Sequence, residues 1–349
     1  MYVDFLELEV TTSCNASCPQ CSRNFYGGPK WPTLPLLFTT LDWIQNKFTL
    51  EFLKNLKVIR FCGTYGDPCV HPDLLDIITW IKSVSSADIV INTNGGVRST
   101  LWWQDLAKIL NGKNDRVVFG IDGLEDTNSL YRRGVNWKKL ISNVTSFNNS
   151  GGNSVWQFLA FEHNQHQVDE AKQLSNDLGF KDFIIKKTTR FVDKKHEFTN
   201  RTAVMDGKKI YFIKPPTNPD LINPGYENFD KTHYETVKIE CTAKKFSMIY
   251  VGADGYVFPC GFLADRLYGF EAEQHKDYAR IHHLFELAGG AHKANLNFTS
   301  LDDIVNGSWF KTLEESWLNT NRLERCAHQC GLHGGPTEKT FSYVKGDLL

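Results

Sequence analysis

Three cysteines near the start of the chain, Cys14, Cys18 and Cys21, form a C-x3-C-x2-C run directly after the strand-like stretch 5–11. Thiolates are soft ligands that suit zinc or iron–sulfur clusters. Three of them leave one iron of a [4Fe–4S] cube without a protein ligand, open to a substrate or cofactor. Structural zinc or simple packing is the competing reading of the same residues. Four more cysteines return late in the chain. Cys241 is followed by thirteen residues, Gly255, four residues and Cys260, and Cys326-Ala-His-Gln-Cys330 comes after. Four thiolates fully ligate one cluster, or one zinc ion with His328 or His333 as spare ligands. Cys62 and Cys69 are left over and read as small buried hydrophobes.

These thiols need elements to hold them. Short apolar runs at 5–11, 58–61, 89–92, 117–121, 156–161 and 183–187 predict six strands, and amphipathic stretches at 41–53, 74–83, 102–110, 137–148 and 168–178 predict the helices between them. Gly179 has the character of a helix-ending residue. Such alternation implies a parallel sheet with right-handed crossovers, whose chemistry gathers at the carboxyl ends of the strands. The motifs fall there. The second strand runs into Cys62-Gly63-Thr64-Tyr65-Gly66-Asp67-Pro68, a turn whose glycines let a ligand approach the backbone. Strand three ends in Thr93-Asn94-Gly95, strand four in Gly120-Ile121-Asp122-Gly123, strand five in Phe161-Glu162-His163-Asn164, and strand six in Thr188-Thr189-Arg190. Each segment alone is more often a plain turn or solvated scaffolding; their order points to one site. Trp102-Trp103 sits at helical spacing and reads as core.

In this order the motifs resemble the radical S-adenosylmethionine (SAM) superfamily. The resemblance implies an α/β fold, a partial (βα)6 TIM-like barrel over residues 1–190, in which Cys14, Cys18 and Cys21 hold a [4Fe–4S] cluster and the open iron binds SAM. Reductive cleavage of SAM then yields a 5′-deoxyadenosyl radical that takes a hydrogen atom from substrate. Tyr65, Gly66 and Asp67 resemble the family's Gly-Gly-Glu-Pro turn, which receives the SAM amino group, with Tyr65 and Asp67 replacing its first glycine and its glutamate. Thr93 and Asn94 resemble the Thr-Asn-Gly ending near SAM. Asp122 lies in a segment similar to the family's Ser-Ile-Asp-Gly, with Gly120 in place of the serine, and Arg132-Arg133-Gly134 resembles its trailing Arg-Gly. Asn164 is expected at SAM, and Glu162, His163 and Arg190 are expected to hold substrate or the SAM carboxylate. The C-x13-G-x4-C run resembles SPASM and twitch extensions, where a β-hairpin holds an auxiliary cluster; with Cys326 and Cys330 it has thiols for one [4Fe–4S] cluster, the twitch arrangement. The expected division is a barrel at 1–190, a linker at 191–240 that either packs across the barrel mouth or simply connects, and a β-hairpin/helix twitch-like extension at 241–349.

The chain has 349 residues, 41% of them hydrophobic and 23% charged, with net charge −1. It is long enough for one large domain or two, and its charge gives no footprint for nucleic acid or an anionic membrane. It carries no secretory n-region and no window of about 18 apolar residues, so a cytoplasmic location is expected, with the cysteines reduced and available to metal. A four-thiolate auxiliary cluster has no open iron, so its expected task is to accept an electron. The expected outcome is oxidation of a small molecule or peptide, with a flavodoxin or ferredoxin as reductant. Epimerisation is an alternative in which Cys62 gives a hydrogen atom to the substrate. Peptide crosslinking is another, against which stands the expectation that the chain starts at its first strand with no leader-binding domain. The non-enzyme alternative is a zinc-stabilised binding protein.

Overall fold

The computed structural model describes residues 2–188, 190–191, 201–206, 209–223, 233–268 and 276–331. Strands β1 (Phe5–Leu8), β2 (Val58–Phe61), β3 (Asp88–Thr93), β4 (Arg116–Gly120), β5 (Ser154–Leu159) and β6 (Asp182–Lys186) lie side by side in chain order, all parallel. The helix expected over 41–53 is two, α1 (Leu41–Lys47) and α2 (Leu50–Asn55), because Thr49 is extended and caps the second, accepting from the Phe52 amide at 3.1 Å. Helices α3 (Leu74–Val84), α4 (Thr100–Ile109), the single turn α5 (Asn128–Tyr131), α6 (Trp137–Asn149) and α7 (Val168–Asp177) follow. In α6 the buried set Leu140, Asn143, Val144 and Phe147 makes the i, i+3, i+4, i+7 stripe of a helix packed on a sheet. Gly179, at φ +80, closes α7 as its position predicts.

Alternation along the strands separates two faces. Leu6, Leu8, Ile59, Phe61, Ile89 and Ile91 point outward into the main core with Ile77, Trp103 and Leu140 from the helices. At about 1.5–3 kcal/mol for each large side chain buried, this face fixes the register. Phe5, Val58, Val90, Val118 and Val155 point the other way and form a smaller cluster with Ala243 and Met248 from late in the chain. That inner face lines the lumen of the partial barrel.

Two features of the organisation emerge only in three dimensions. The stretch 191–240, expected as a linker, contains the antiparallel hairpin β7 (Thr202–Asp206) and β8 (Lys209–Ile213). It is tied to the barrel mouth: Arg133 Nη1 donates to the Tyr211 hydroxyl at 3.1 Å, and the Gln20 amide donates to Thr202 Oγ1 at 2.9 Å. The hairpin of the C-terminal extension is continuous with the barrel sheet, since β9 (Met248–Val251) pairs parallel to β1 and β10 (Val257–Phe258) pairs antiparallel to β9. The order is therefore β10-β9-β1-β2-β3-β4-β5-β6, and the sheet stays open. The remaining helices are α8 (His233–Thr236), α9 (Thr242–Lys245), α10 (Gly261–Ala264), α11 (Lys276–Leu287), α12 (Leu301–Asn306), α13 (Ser308–Ser316) and α14 (Glu324–Cys330). Among the described residues no helix is long and apolar enough to cross a membrane. The charged patch at 193–197 and His333 lie outside the described residues.

Candidate active site

Cys14, Cys18 and Cys21 share one loop between β1 and α1, and each thiol lies within the electrostatic reach of the others. What surrounds their sulfurs is a set of donors. The Ala16 amide donates to Cys14 Sγ at 3.3 Å and Asn94 Nδ2 does so at 3.7 Å; Arg132 Nη1 reaches Cys18 Sγ at 3.9 Å. Burial drives the Cys14 thiol far above its ordinary range and pushes Cys18 up to about 11, with the Arg132 charge countering at Cys18. A site that aims N–H groups and a guanidinium at two of the three thiols fits thiolates carrying a metal cluster, whose extra electron density those donors stabilise.

The turn after β2 is held from below by a residue the motifs did not single out. Glu9 Oε1 accepts the backbone amides of Tyr65 at 2.6 Å and Gly66 at 2.8 Å, while its other oxygen accepts the Tyr250 hydroxyl from β9. Burial lifts the Glu9 carboxyl to about 7. Both glycines of the turn are needed for close approach: a Cβ on Gly63 would stand 1.8 Å from the Gly66 carbonyl oxygen, and one on Gly66 would stand 1.9 Å from that of Thr11. Asp67 corrects an expectation. Its buried carboxylate accepts from the Cys69 amide at 3.0 Å, Thr93 Oγ1 at 2.9 Å, the Asn94 amide at 2.8 Å and Asn94 Nδ2 at 2.7 Å. Four donors fill its lone pairs, so Asp67 ties the second turn to the third strand and has no oxygen left for a ligand's amino group. Thr93 and Asn94 belong to the same knot, and Asn94 also donates to Asn15 Oδ1 in the cysteine loop at 2.8 Å.

At the end of β4, Asp122 is fully buried, accepting from Arg132 Nε at 2.6 Å and the Leu159 amide at 2.7 Å. The chain Asp122–Arg132–Cys18 thus carries a buried charge pair to the cysteine loop. It also explains Gly120: a Cβ there would sit 2.4 Å from Arg132 Nη2, so a serine hydroxyl and this guanidinium cannot share the space. Asn164, expected at SAM, is also fully buried and consumed internally, with Nδ2 donating to the Asp122 carbonyl at 3.0 Å and the Leu159 carbonyl at 2.9 Å and Oδ1 accepting from the Phe161 amide at 2.7 Å. It braces the strand ends rather than facing a ligand. Glu162 makes a half-exposed ion pair with Lys214 at 3.0 Å. Arg190 Nη1 donates to the Tyr131 hydroxyl at 2.8 Å. Cys62 shares the inward parity of Val58, and burial with the Glu7 and Glu9 charges holds its thiol well above the ordinary range. Cys69 is fully buried.

The late cysteines also form one neighbourhood. Cys241 precedes α9, Cys260 precedes α10, and Cys326 and Cys330 lie on α14. Cys330 Sγ accepts from the Thr242 amide at 3.5 Å; with the Cys241 thiol also donating to it, Cys330 is lowered to about 6 and Cys241 is raised. Cys260 and Cys326 are raised by burial and feel Cys330. Cys241 and Cys260 pack on the apolar inner face of the barrel. His328 meets the Gln329 amide at 3.2 Å. Among the described residues no three of His, Cys, Asp or Glu converge at single-ion distance, so both thiol groups are defined by mutual electrostatic contact and by the donors on their sulfurs.

The family model of the radical SAM superfamily matches residues 8–174, which span the cysteine loop, the Glu9-held turn and the Asp122–Arg132 pair. The chain carries a radical SAM domain. That family uses a [4Fe–4S] cluster and SAM. Among curated relatives, it is 24% identical over 123 residues to a GTP 3′,8-cyclase of Chlorobaculum tepidum, covering 35% of this chain and 34% of that one. It is 30% identical over 120 residues to a tungsten-containing aldehyde ferredoxin oxidoreductase cofactor-modifying protein of Pyrococcus furiosus, covering 34% and 31%. The chain spans about a third of the length of these relatives. In three dimensions it is similar to native anSMEcpe with bound AdoMet and Cp18Cys peptide, with a TM-score of 0.52 at 15% identity over 93% of this chain and 88% of that one, a likeness of fold.

Within the radical SAM domain, the sequence motifs located the cysteine loop and the turns but not the residues that lock them. Glu9 is an acid directly after an apolar strand, and Arg132 is one of two adjacent arginines; neither has a spacing that announces its partner. The only signal was an unpaired charge in a segment otherwise built for burial.

Proposed function

We propose that this radical SAM enzyme oxidises its substrate by dehydrogenation, with Cys14, Cys18 and Cys21 holding the SAM cluster and Cys241, Cys260, Cys326 and Cys330 holding an auxiliary [4Fe–4S] cluster. When bound, the SAM cluster and SAM supply abstraction of a substrate hydrogen atom, and the auxiliary cluster supplies a one-electron acceptor. The substrate gives up one hydrogen atom, one electron and one proton, a two-electron oxidation. The observation that carries this reading is the placement of the second thiol group against the lumen. Cys260 feels the Glu7 carboxylate of the inner face, and a Cβ on its neighbour Gly261 would touch Thr64 Oγ1 at 3.0 Å, next to the turn whose Thr64 carbonyl lies 4.0 Å from Cys21 Sγ. Asn94 and Arg132 orient the first thiols, the Tyr65–Gly66 backbone held by Glu9 shapes the SAM turn, and Asp67, Asp122 and Asn164 fix those groups. Arg190 and Glu162, at the carboxyl ends of the last two barrel strands, face a small-molecule or peptide substrate, and a flavodoxin- or ferredoxin-type reductant supplies the initiating electron.

The test is iron, sulfide and SAM cleavage on anaerobically reconstituted protein. Wild type should bind about eight irons and release 5′-deoxyadenosine, and a Cys14/Cys18/Cys21 triple alanine variant should keep about four and release none, as four irons per cube require. Zinc at the late cysteines would remove the acceptor and overturn the oxidation. One observation favours a second reading, epimerisation: the inward, protonated thiol of Cys62. Cys62→Ala should leave a dehydrogenase turning over and stop an epimerase.

A further inference from the structure

Lys186 closes β6 on the inner face, two residues beyond Ile184, which packs on the apolar lumen floor. Its electrostatic neighbours are Arg60 on β2, Arg190, Arg132 and Asp122. Since β2 and β6 are separated by three intervening strands, Lys186 and Arg60 can feel one another only across the lumen. The three guanidiniums all have partners. Arg60 pairs with Glu7 at 3.0 Å; Arg132 pairs with Asp122 and reaches Cys18; Arg190 bonds Tyr131 and feels Cys21. The Lys186 ammonium makes neither a hydrogen bond nor an ion pair among the described residues.

Four cations therefore surround this stretch of lumen against two carboxylates, and a cluster on the cysteine loop would engage Arg132 and Arg190, which already face its thiols. The Lys186 ammonium is the charge left over. A half-buried ammonium crowded by like charges is costly unless an anion completes it; burial, then Arg190, Arg60 and Arg132, hold it down to about 8, so most of it is charged at neutral pH. Building on the radical SAM reading of the site, we propose that the Lys186 ammonium binds an anionic oxygen group, a carboxylate or a phosphate, on the substrate and anchors it in the lumen opposite Arg60. A compact ammonium with three rotating donors suits either group.

Calorimetric titration of inorganic phosphate and of malonate into the protein tests this, with and without reconstituted clusters and SAM, on wild type, Lys186→Met, Lys186→Gln and the neighbouring exposed Lys187→Met. One of the two anions should bind wild type and Lys187→Met alike and bind both Lys186 variants about tenfold or more weakly, the loss expected for a hydrogen bond to a charged group. SAM affinity and iron content should be unchanged. Preference for phosphate or malonate then names the anion. Binding of neither anion to wild type, or equal binding by the Lys186 variants, overturns the proposal; so does a matching loss of SAM affinity, which would give the cation to the SAM carboxylate. Absence of iron and SAM binding from wild type would overturn the radical SAM reading instead, while the cluster-free titration still reports on Lys186. Two chemically different replacements, each checked for native circular dichroism, separate loss of the ammonium from misfolding.

Discussion

Replacing Arg132 with methionine should lower folding stability by about 3–5 kcal/mol, the cost of leaving one partner of a buried ion pair alone. Asp122 has no exposed side-chain surface, and among the described residues its carboxylate receives, apart from Arg132, only the Leu159 amide. The same variant should hold its SAM cluster about 10–100-fold more weakly, the usual effect of removing a group that supports a metal ligand, because the guanidinium also faces Cys18. A double variant, Asp122→Asn with Arg132→Met, separates the effects. With both charges gone and the asparagine oxygen still able to accept the Leu159 amide, stability should return while cluster retention stays low. Urea unfolding of the three proteins and iron retention under chelator are the measurements. Wild-type stability in the single variant, or full iron retention in the double one, would sink the assignment.

Glu9→Gln should flatten the dependence of stability on pH. Burial raises the Glu9 carboxyl from 4.5 to about 7. Between those values the native protein holds a proton that the unfolded chain has released, so the Glu9 contribution is fully present below 4.5 and is lost as pH rises through about 7. The shift corresponds to about 3 kcal/mol at pH 8, which the neutral amide does not lose. Glutamine keeps an oxygen for the Tyr65 and Gly66 amides and offers its NH2 to the Tyr250 oxygen, so the variant should match wild type near pH 5 and unfold at higher urea at pH 8. Glu9→Ala should be destabilised at both, since three buried donors lose their acceptor at about 1–3 kcal/mol each. Identical pH profiles for wild type and Glu9→Gln would show that the carboxyl is ionised throughout.

Local features of the chain were readable from contiguous residues. Six strands and the helices after them were legible because apolar periodicity is a property of contiguous residues, and Val58–Phe61 was bounded to the residue. The cysteine loop was legible for the same reason: three thiols within eight residues must share a loop. Where a break depended on one cap, as at Thr49, the pattern ran through it. The tertiary structure alone decided what each polar residue at the strand ends faces. Asp67, Asp122 and Asn164 stand at the motif positions, yet their lone pairs and donors are filled by Thr93, Asn94, Arg132 and neighbouring backbone, because a buried carboxylate or amide must be satisfied and the nearest satisfiers come from other strands. Glu9, Tyr250 and the Tyr65–Gly66 turn meet only because β9, more than two hundred residues later, pairs beside β1. The leftover charge of Lys186 appears only when β2 and β6 curve to face each other, since whether a cation is paired depends on distances through space, which neighbouring residues in the chain do not fix.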